Sequence, residues 1–493
     1  VFGEKLNSLM ASKTYFPDRV FLKWDVNGPL TDVDRYIVER REAGEGEYEQ
    51  IATVEGITDY SDYDALASVL YEYRVTAQVD CETNVVTSNQ LTDVGFRIPY
   101  AVVNGHVEYE SGVALKNAII TAEKSSGVSL GRSLNFDGNA GTYVEVENEN
   151  MLNPTDYIAV EAWIRPAATS GMADIISKTN YRLYQSGTDV VFTVAGQTVT
   201  APDVLTANAY VHVAGVYNGE EVKIYINGEV PYILTYSLEQ EDFESIEAME
   251  LPDNVIDALR SIQDVVYNSD TEFIAALETQ LGASEAELYA IFLIPIAQNK
   301  EIVPGTTKAF TGTIPTNEEA LKIGSGFNGQ IDDIRIWNTA RTDYDVARDY
   351  GRMINGDAAG LIASFRCDEN FGVNIYDVSK TGVDFNMNDG TFVGNVTWSV
   401  EIPDNEQLGW KGVTDENGNY TIPYIPYMGI GENFTLTPIY EQHSFQPATK
   451  TVYLGEGANV LNGQDFIDIS SFKLTRTVFY ENTTCGVEGV MLN

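Results

Sequence analysis

Three cysteines in 493 residues, Cys81, Cys367 and Cys485, are too few and too widely spaced to form a disulfide framework, and no Cys-x-x-Cys pattern offers a metal site. Histidine is equally scarce. His106, His212 and His443 fall in different expected strands, none beside a nucleophile or a ligand-spaced partner, so each reads as structural. His-Glu-x-x-His and phosphate-binding loops are missing. Paired carboxylates are too common in so acidic a chain to mark a glycosidase. The expectation is a protein that is not an enzyme. No apolar run approaches 18 residues, so no membrane span is expected in this segment. The largest deficit is positive charge: 30 Lys and Arg stand against 73 Asp and Glu, a net charge of −43 spread along the whole chain. Nucleic acid and anionic lipid are thereby disfavoured as partners. Two readings of the acids remain, a solvated, mutually repulsive surface and carboxylates gathered around a divalent cation.

What is present suits an all-β chain. Hydrophobic residues make up 44% and aromatics 11%, with 29 Tyr and 41 Gly, a globular and turn-rich composition. The length predicts roughly three domains.

Residues 133–399 organise the rest. Leu134-Asn135-Phe136-Asp137-Gly138, Val160-Glu161-Ala162-Trp163-Ile164, Val211-His212-Val213-Ala214-Gly215-Val216-Tyr217 and Val222-Lys223-Ile224-Tyr225-Ile226-Asn227-Gly228 each alternate apolar with polar residues and are bounded by tight-turn signals. Gly329-Gln330-Ile331-Asp332-Asp333-Ile334-Arg335-Ile336-Trp337 closes the series, which predicts a two-sheet sandwich. In this order the segments resemble the laminin-G-like, concanavalin-type jelly roll of extracellular proteins, expected here over 126–402. Gly360-Leu361-Ile362-Ala363-Ser364-Phe365 and Gly390-Thr391-Phe392-Val393 resemble its closing strands, with Cys367 a buried free thiol. Strict alternation puts Asp332 on the face of Ile334 and Ile336, the expected core face, and Asp333 opposite. The resemblance implies a structural calcium between Asp332 and the Phe-Asp-Gly strand, held by Asp332, Asp137 and carbonyls near Asn135 and Gly138, with Asp333 the weaker ligand. A turn cap or an arginine partner for Asp332 is the alternative. Asp368 and Glu369 could add to a cation site or form an exposed turn. For a sugar ligand, Tyr181, Tyr184 and Trp337 are the candidate stacking rings.

Upstream, Val20-Phe21-Leu22-Lys23-Trp24, Tyr36-Ile37-Val38-Glu39-Arg40 and Tyr71-Glu72-Tyr73-Arg74-Val75 form short strands that resemble a fibronectin type III domain over 13–98, with Trp24 in the core and Tyr73 as its corner tyrosine. Residues 99–125 resemble the opening strands of a carboxypeptidase-regulatory-like sandwich whose remainder follows at 408–468, so the jelly roll is expected as an insertion. Residues 478–491 align without gaps on 107–120, which predicts that 469–493 begin a further copy and that the chain belongs to a longer, repeat-built protein. Between 238 and 301 the pattern turns helical. Asp253 and Thr271 are the expected caps, Ser284 with Glu287 an expected capping box, and the apolar stripes are expected to pack on one another.

The reading is a non-enzymatic segment of a large secreted or surface-attached modular protein with an adhesion or filament role, located outside the cell or on its surface. Its partners would be a glycan or surface-protein ligand and neighbouring repeats of the same chain. The alternative is the accessory carbohydrate-binding region of a polysaccharide-degrading enzyme.

Overall fold

Alternation of apolar and polar residues builds every sheet of this computed structural model, which describes residues 2–125, 131–249, 251–380, 388–404 and 407–470. The fold is all-β, a set of antiparallel sandwiches with one helical insertion. The chain divides into two compact units, one built from the first 97 residues other than 66–68 together with the segment up to 408, the other from 66–68, 98–125 and 409–470. The expected further copy, 471–493 with Cys485, lies outside the described residues.

The N-terminal sandwich pairs a three-stranded sheet (Leu6–Ala11, Val20–Val26, Asp59–Asp62) with a four-stranded one (Glu49–Val54, Arg35–Glu42, Tyr71–Cys81, Asn84–Gly95). Its first strand precedes the expected start at residue 13. A bulge between Leu6 and Ser8 breaks the alternation that would have revealed it. Trp24 is fully buried and lies 5.2 Å from the ring of Tyr36. Buried Tyr73 donates to the Asp62 carboxylate at 2.8 Å, which Arg40 also meets at 2.6 Å. Within the same unit this sandwich touches the jelly roll: the Lys13 ammonium reaches Asp93 at 3.1 Å and Asp389 at 3.6 Å, and Phe96 meets the Tyr376 ring.

The jelly roll has two antiparallel sheets of eight strands each. The first runs Thr307–Ala309, Glu221–Ile226, Val211–Tyr217, Ile158–Pro166, Asn328–Trp337, Ser133–Asp137 and Thr397–Ser399, with Leu361–Phe365 also on Asn328–Trp337. The second runs Gln197–Ala201, Asp189–Val194, Tyr181–Ser186, Met172–Lys178, Leu321–Ile323, Tyr143–Val146, Gly390–Val393 and Asn374–Ile375. Leu134, Val160, Phe192, Ile323 and Ile334 are among the side chains that fill the space between them. Gly215 faces Phe192 so closely that an added Cβ would fall 2.2 Å from the ring, which is why this buried strand carries a glycine.

The hairpin Tyr232–Tyr236 and Gln298–Ile302 is the stem of the helical insertion, which holds α1 (Asp242–Glu247), α2 (Asp253–Ser261), α3 (Asp270–Leu281) and α4 (Ala283–Ala297). Helices pack on one another around Phe243, Leu259, Phe273 and Leu293. The caps differ from expectation. α2 starts at Asp253 with Pro252 before it and no side-chain cap, and Ser269 rather than Thr271 caps α3 by accepting from Glu272 N. α4 begins directly after Gly282, two residues earlier than a Ser284 capping box would place it. The capping box that does form, Thr342 with Asp345, opens α5 (Asp343–Asp349). No described helix is long and apolar enough to cross a membrane.

In the second unit, strands from before and after the jelly roll share sheets. Ile119–Lys124 lies between Trp410–Val413 and Gly431–Ile439, and Asn419–Pro426 pairs with Tyr100–Tyr109. Val103, Ile120, Ile422 and Phe434 lie in their common core.

Candidate functional site

The jelly roll's two outward faces have opposite fates. On the first sheet, the segment 338–360 with α5 roofs the face, burying Ala159, Val216, Tyr225 and Trp337 beneath Val346. Charge is sealed in with them. Arg335 is 1% exposed and donates to both oxygens of Asp333 and to the carbonyls of Asp349 (3.0 Å) and Arg352 (2.6 Å). Glu161, 3.7 Å from Arg335, accepts from Trp337 Nε1 at 2.7 Å and lies 3.3 Å from His212 Nε2. Burial alone would raise the Glu161 carboxyl, yet His212 and Arg335 hold it well below the usual carboxylate range. Such a network, sealed beneath the roof segment, positions strands and is shut off from a ligand.

Asp332 and Asp333 sit at a break in this sheet. Ser133–Asp137 pairs with the first part of Asn328–Trp337 and Leu361–Phe365 with the last part, so the two strands follow one another along one edge. A bulge lies at that junction, with Asp333 at φ 44°. The extra residue changes the alternation: Ile331, Ile334 and Ile336 all face the core, while Asp332 lies opposite Trp163 and away from it. The expected face of Asp332 is therefore overturned, while Asp333 does lie away from the core, where it is 4% exposed and paired with Arg335. Asp332 itself is 5% exposed and accepts from Asp333 N at 2.8 Å. Burial, together with the charges of Asp368, Asp333 and Glu369, raises its carboxyl well above the ordinary value.

The other expected ligands lie elsewhere. Asp137 pairs across from Asn328, four residues and roughly 13 Å along the strand from Asp332. Its carboxylate is engaged by Asn139 N (3.0 Å) and Asn395 Nδ2 (3.0 Å), while Asn135 bonds Gln330 and Gly138 N bonds Phe327 O. The set Asn135, Asp137, Gly138 and Asp332 does not converge. Among the described residues no group of three or more His, Cys, Asp or Glu side chains is placed to hold a metal. Cys367 is a buried free thiol, raised by burial well above its usual value.

The second sheet's outward face is open. One residue from each of seven strands forms a continuous row across it: Thr391, Glu145, Lys322, Ser177, Arg182, Thr193 and Thr198, each directly opposite the next. None is buried. At about 4.8 Å per strand the row spans roughly 29 Å. Two rings flank it. Tyr143 lies under the Lys322 ammonium at 4.5 Å, and Tyr184 under the Arg182 guanidinium at 4.1 Å, with Asp174 holding Arg182 at 2.5 Å. Their inward neighbours Leu183, Phe192 and Val199 anchor the strands in the core, so this platform is rigid.

At one end the row opens into a cleft of about 440 Å³ lined by Asn180, Arg182, Tyr184, Thr193, Pro315 and Asn317. Lys178 builds its wall by donating to Asn148 Oδ1 (2.7 Å), Asn317 Oδ1 (3.0 Å) and Glu319 O, while Asn180 Nδ2 donates to Pro315 O at 2.8 Å. Asn180 Oδ1 and Asn317 Nδ2 are buried without a hydrogen-bond partner among the described residues. An acceptor and a donor of this kind each cost about 1–3 kcal/mol while unmet. Of the three candidate rings, Tyr184 is on this face. Tyr181 points into the core at 1% exposure and Trp337 is sealed under α5. The register that assembles the row joins strands far apart in sequence, so only the alternation Tyr181-Arg182-Leu183-Tyr184 signalled it locally.

Among curated proteins, none matches this sequence. Of solved structures, a candidate carbohydrate-binding protein from Bacteroides ovatus ATCC 8483 is 13% identical and covers 81% of this chain and 95% of its own, with a TM-score of 0.34. Domains LG4-5 of the mouse laminin alpha1 chain are 9% identical over 68% of this chain and 83% of theirs, TM-score 0.19. Residues 137–237, from the Phe-Asp-Gly strand to the stem of the helical insertion, match the family model of the concanavalin A-like lectin/glucanases superfamily.

Proposed function

We propose that the jelly roll is a non-catalytic saccharide-recognition module, set in an extracellular or surface-attached modular protein with an adhesion role. The sandwich before it would be the fibronectin type III-like spacer, and the second unit the regulatory-like sandwich. The observation that carries the reading is the open polar row with Tyr143 and Tyr184 beside it, ending in the Asn180 and Asn317 cleft. Sugar rings present apolar C–H faces to aromatic rings and hydroxyls that both donate and accept. One hydroxyl could serve the unmet Asn180 acceptor, another the Asn317 donor. The family match to lectins and glucanases over 137–237 agrees with this ligand class. Because Arg182 is already neutralised by Asp174, the site suits neutral sugars better than acidic ones.

The test is a glycan array probed with the whole chain and with Tyr184→Ala. Specific binding is expected, reduced at least roughly fivefold by the variant, since stacking contacts of this kind are worth about 1 kcal/mol or more. Binding that Tyr184→Ala leaves unchanged places the ligand elsewhere, and a blank array from folded protein overturns the reading.

Calcium carries over in a narrower form. Asp332 is the residue we assign to it, because a cation would relieve a buried carboxylate crowded by other acidic charges, although no three acidic side chains converge there among the described residues. Millimolar calcium should raise the melting temperature of the wild type and of Asp137→Asn, but not of Asp332→Asn. A wild type indifferent to calcium, or an Asp137→Asn variant that loses the response, refutes the assignment.

A further inference from the structure

An α-helix with apolar residues all round is normally buried on all sides. From Leu288 to Ala297 α4 is such a helix, yet its side opposite the insertion's core is uncovered. Ala286, Ala290, Leu293 and Ala297 pack into the insertion's core. Leu288, Ile291, Phe292 and Pro295 repeat at intervals of three, one and three residues, which places them on the opposite side. Ile291 is 68% exposed and Phe292 54%. Solvent-facing positions of a surface helix are ordinarily charged or polar, and here an apolar stripe two turns long stands in their place.

The charge around it is equally one-sided. Between residues 239 and 301 the sequence holds fifteen acidic side chains against Arg260 and Lys300. Both cations are already paired, Arg260 with Glu247 at 2.6 Å and Lys300 with Glu229 at 3.4 Å. On α4 itself, Glu285 and Glu287 precede the stripe and no basic residue occurs. A second copy of the same insertion would bring like charge against like, and an anionic membrane would do the same. An amphipathic helix with a basic flank meets both features: its apolar face covers Ile291 and Phe292, and its Lys or Arg side chains meet the acids around them.

We infer that the outer face of α4 is a docking surface for a basic amphipathic segment of another polypeptide. This is independent of the saccharide reading, because the insertion has its own core and stands on its own hairpin stem.

The probe is a fluorescent 14-residue peptide of leucine and lysine in an amphipathic helical pattern, titrated into the whole chain by anisotropy. A second peptide has glutamate in place of lysine. The lysine peptide should bind and the glutamate peptide should not. The double variant Ile291→Ser, Phe292→Ser should weaken binding at least tenfold with circular dichroism unchanged, because both side chains are outside the core. Equal binding by variant and wild type would reduce the attraction to bulk charge and overturn the inference. So would binding of the glutamate peptide, or a wild-type dimer in sedimentation that the double variant dissolves, which would give the face to a second copy.

Discussion

Arg335→Met should be among the most damaging single substitutions in the jelly roll, lowering its stability by about 3–5 kcal/mol. The side chain is 1% exposed and its guanidinium meets Asp333, Glu161 and two carbonyls of the roof segment. Methionine fills most of the volume, so little of the loss comes from a cavity. It comes from leaving Asp333 and Glu161, 4% and 2% exposed, as buried charges without their cation. Glu161 then loses the partner that, with His212, holds its carboxyl low. A triple variant that also carries Glu161→Gln and Asp333→Asn removes the stranded charges and should recover part of the loss. Urea unfolding followed by tryptophan fluorescence measures this, since Trp163 and Trp337 both line the network. A single variant within about 1 kcal/mol of wild type would show that the network is solvated and contributes little.

The same residues show what could be read in the sequence. Strand alternation and turn signals located the sandwiches, because period-two patterning and Asn-Gly or Asp-Gly turns are local properties. Alternation failed at Asp332, where one extra residue at positive φ reverses the faces, and nothing nearby in sequence announces that bulge. It failed again at Leu6–Ala11 for the same reason. The caps of α2, α3 and α4 shifted by one or two residues: Ser269 competes with Thr271 for the start of α3, while α2 and α4 start after Pro252 and Gly282 with no side-chain cap at all. The polar row was invisible for a different reason. Its seven members come from strands spread between 145 and 391, and only the register brings Glu145 to Lys322 and Lys322 to Ser177. Tyr184 was legible as an aromatic on an alternating strand. Asn180 and Asn317 were not, because their unmet groups exist only once the 315–319 loop folds over Lys178.

Raising the pH from 5 to 8 should destabilise the jelly roll, against the usual behaviour of acidic proteins near neutrality. Burial pushes the Glu369 carboxyl up to about 8, Asp389 up to about 7 although Lys13 opposes it, and Asp377 up to about 6 although Asn388 and Ser364 donate to it. Asp332 is also raised well above the ordinary value, by the same desolvation and by its acidic neighbours. Each group binds a proton in the folded state at pH values where the unfolded chain, with carboxyls near 4, has released it. Stability from these groups is complete below about pH 4 and is lost as pH climbs through 6, 7 and 8. A second set acts in the other direction. Glu161, Asp343 and Asp345 are held low by their hydrogen-bond and ionic partners, so their contribution is present above about pH 4 and lost below it. The two slopes place the optimum between about pH 4 and 5. Thermal melts should peak there and fall toward pH 8, with a loss of roughly 2 kcal/mol or more, because each tenfold difference in proton affinity between the folded and unfolded chain is worth about 1.4 kcal/mol. A melting temperature that climbs steadily from pH 5 to 8 would mean that these carboxyls are ionised in the fold. Repeating the series with calcium separates the causes: an ion at Asp332 competes with the proton there, so calcium should flatten the alkaline decline in the wild type and leave it unchanged in Asp332→Asn.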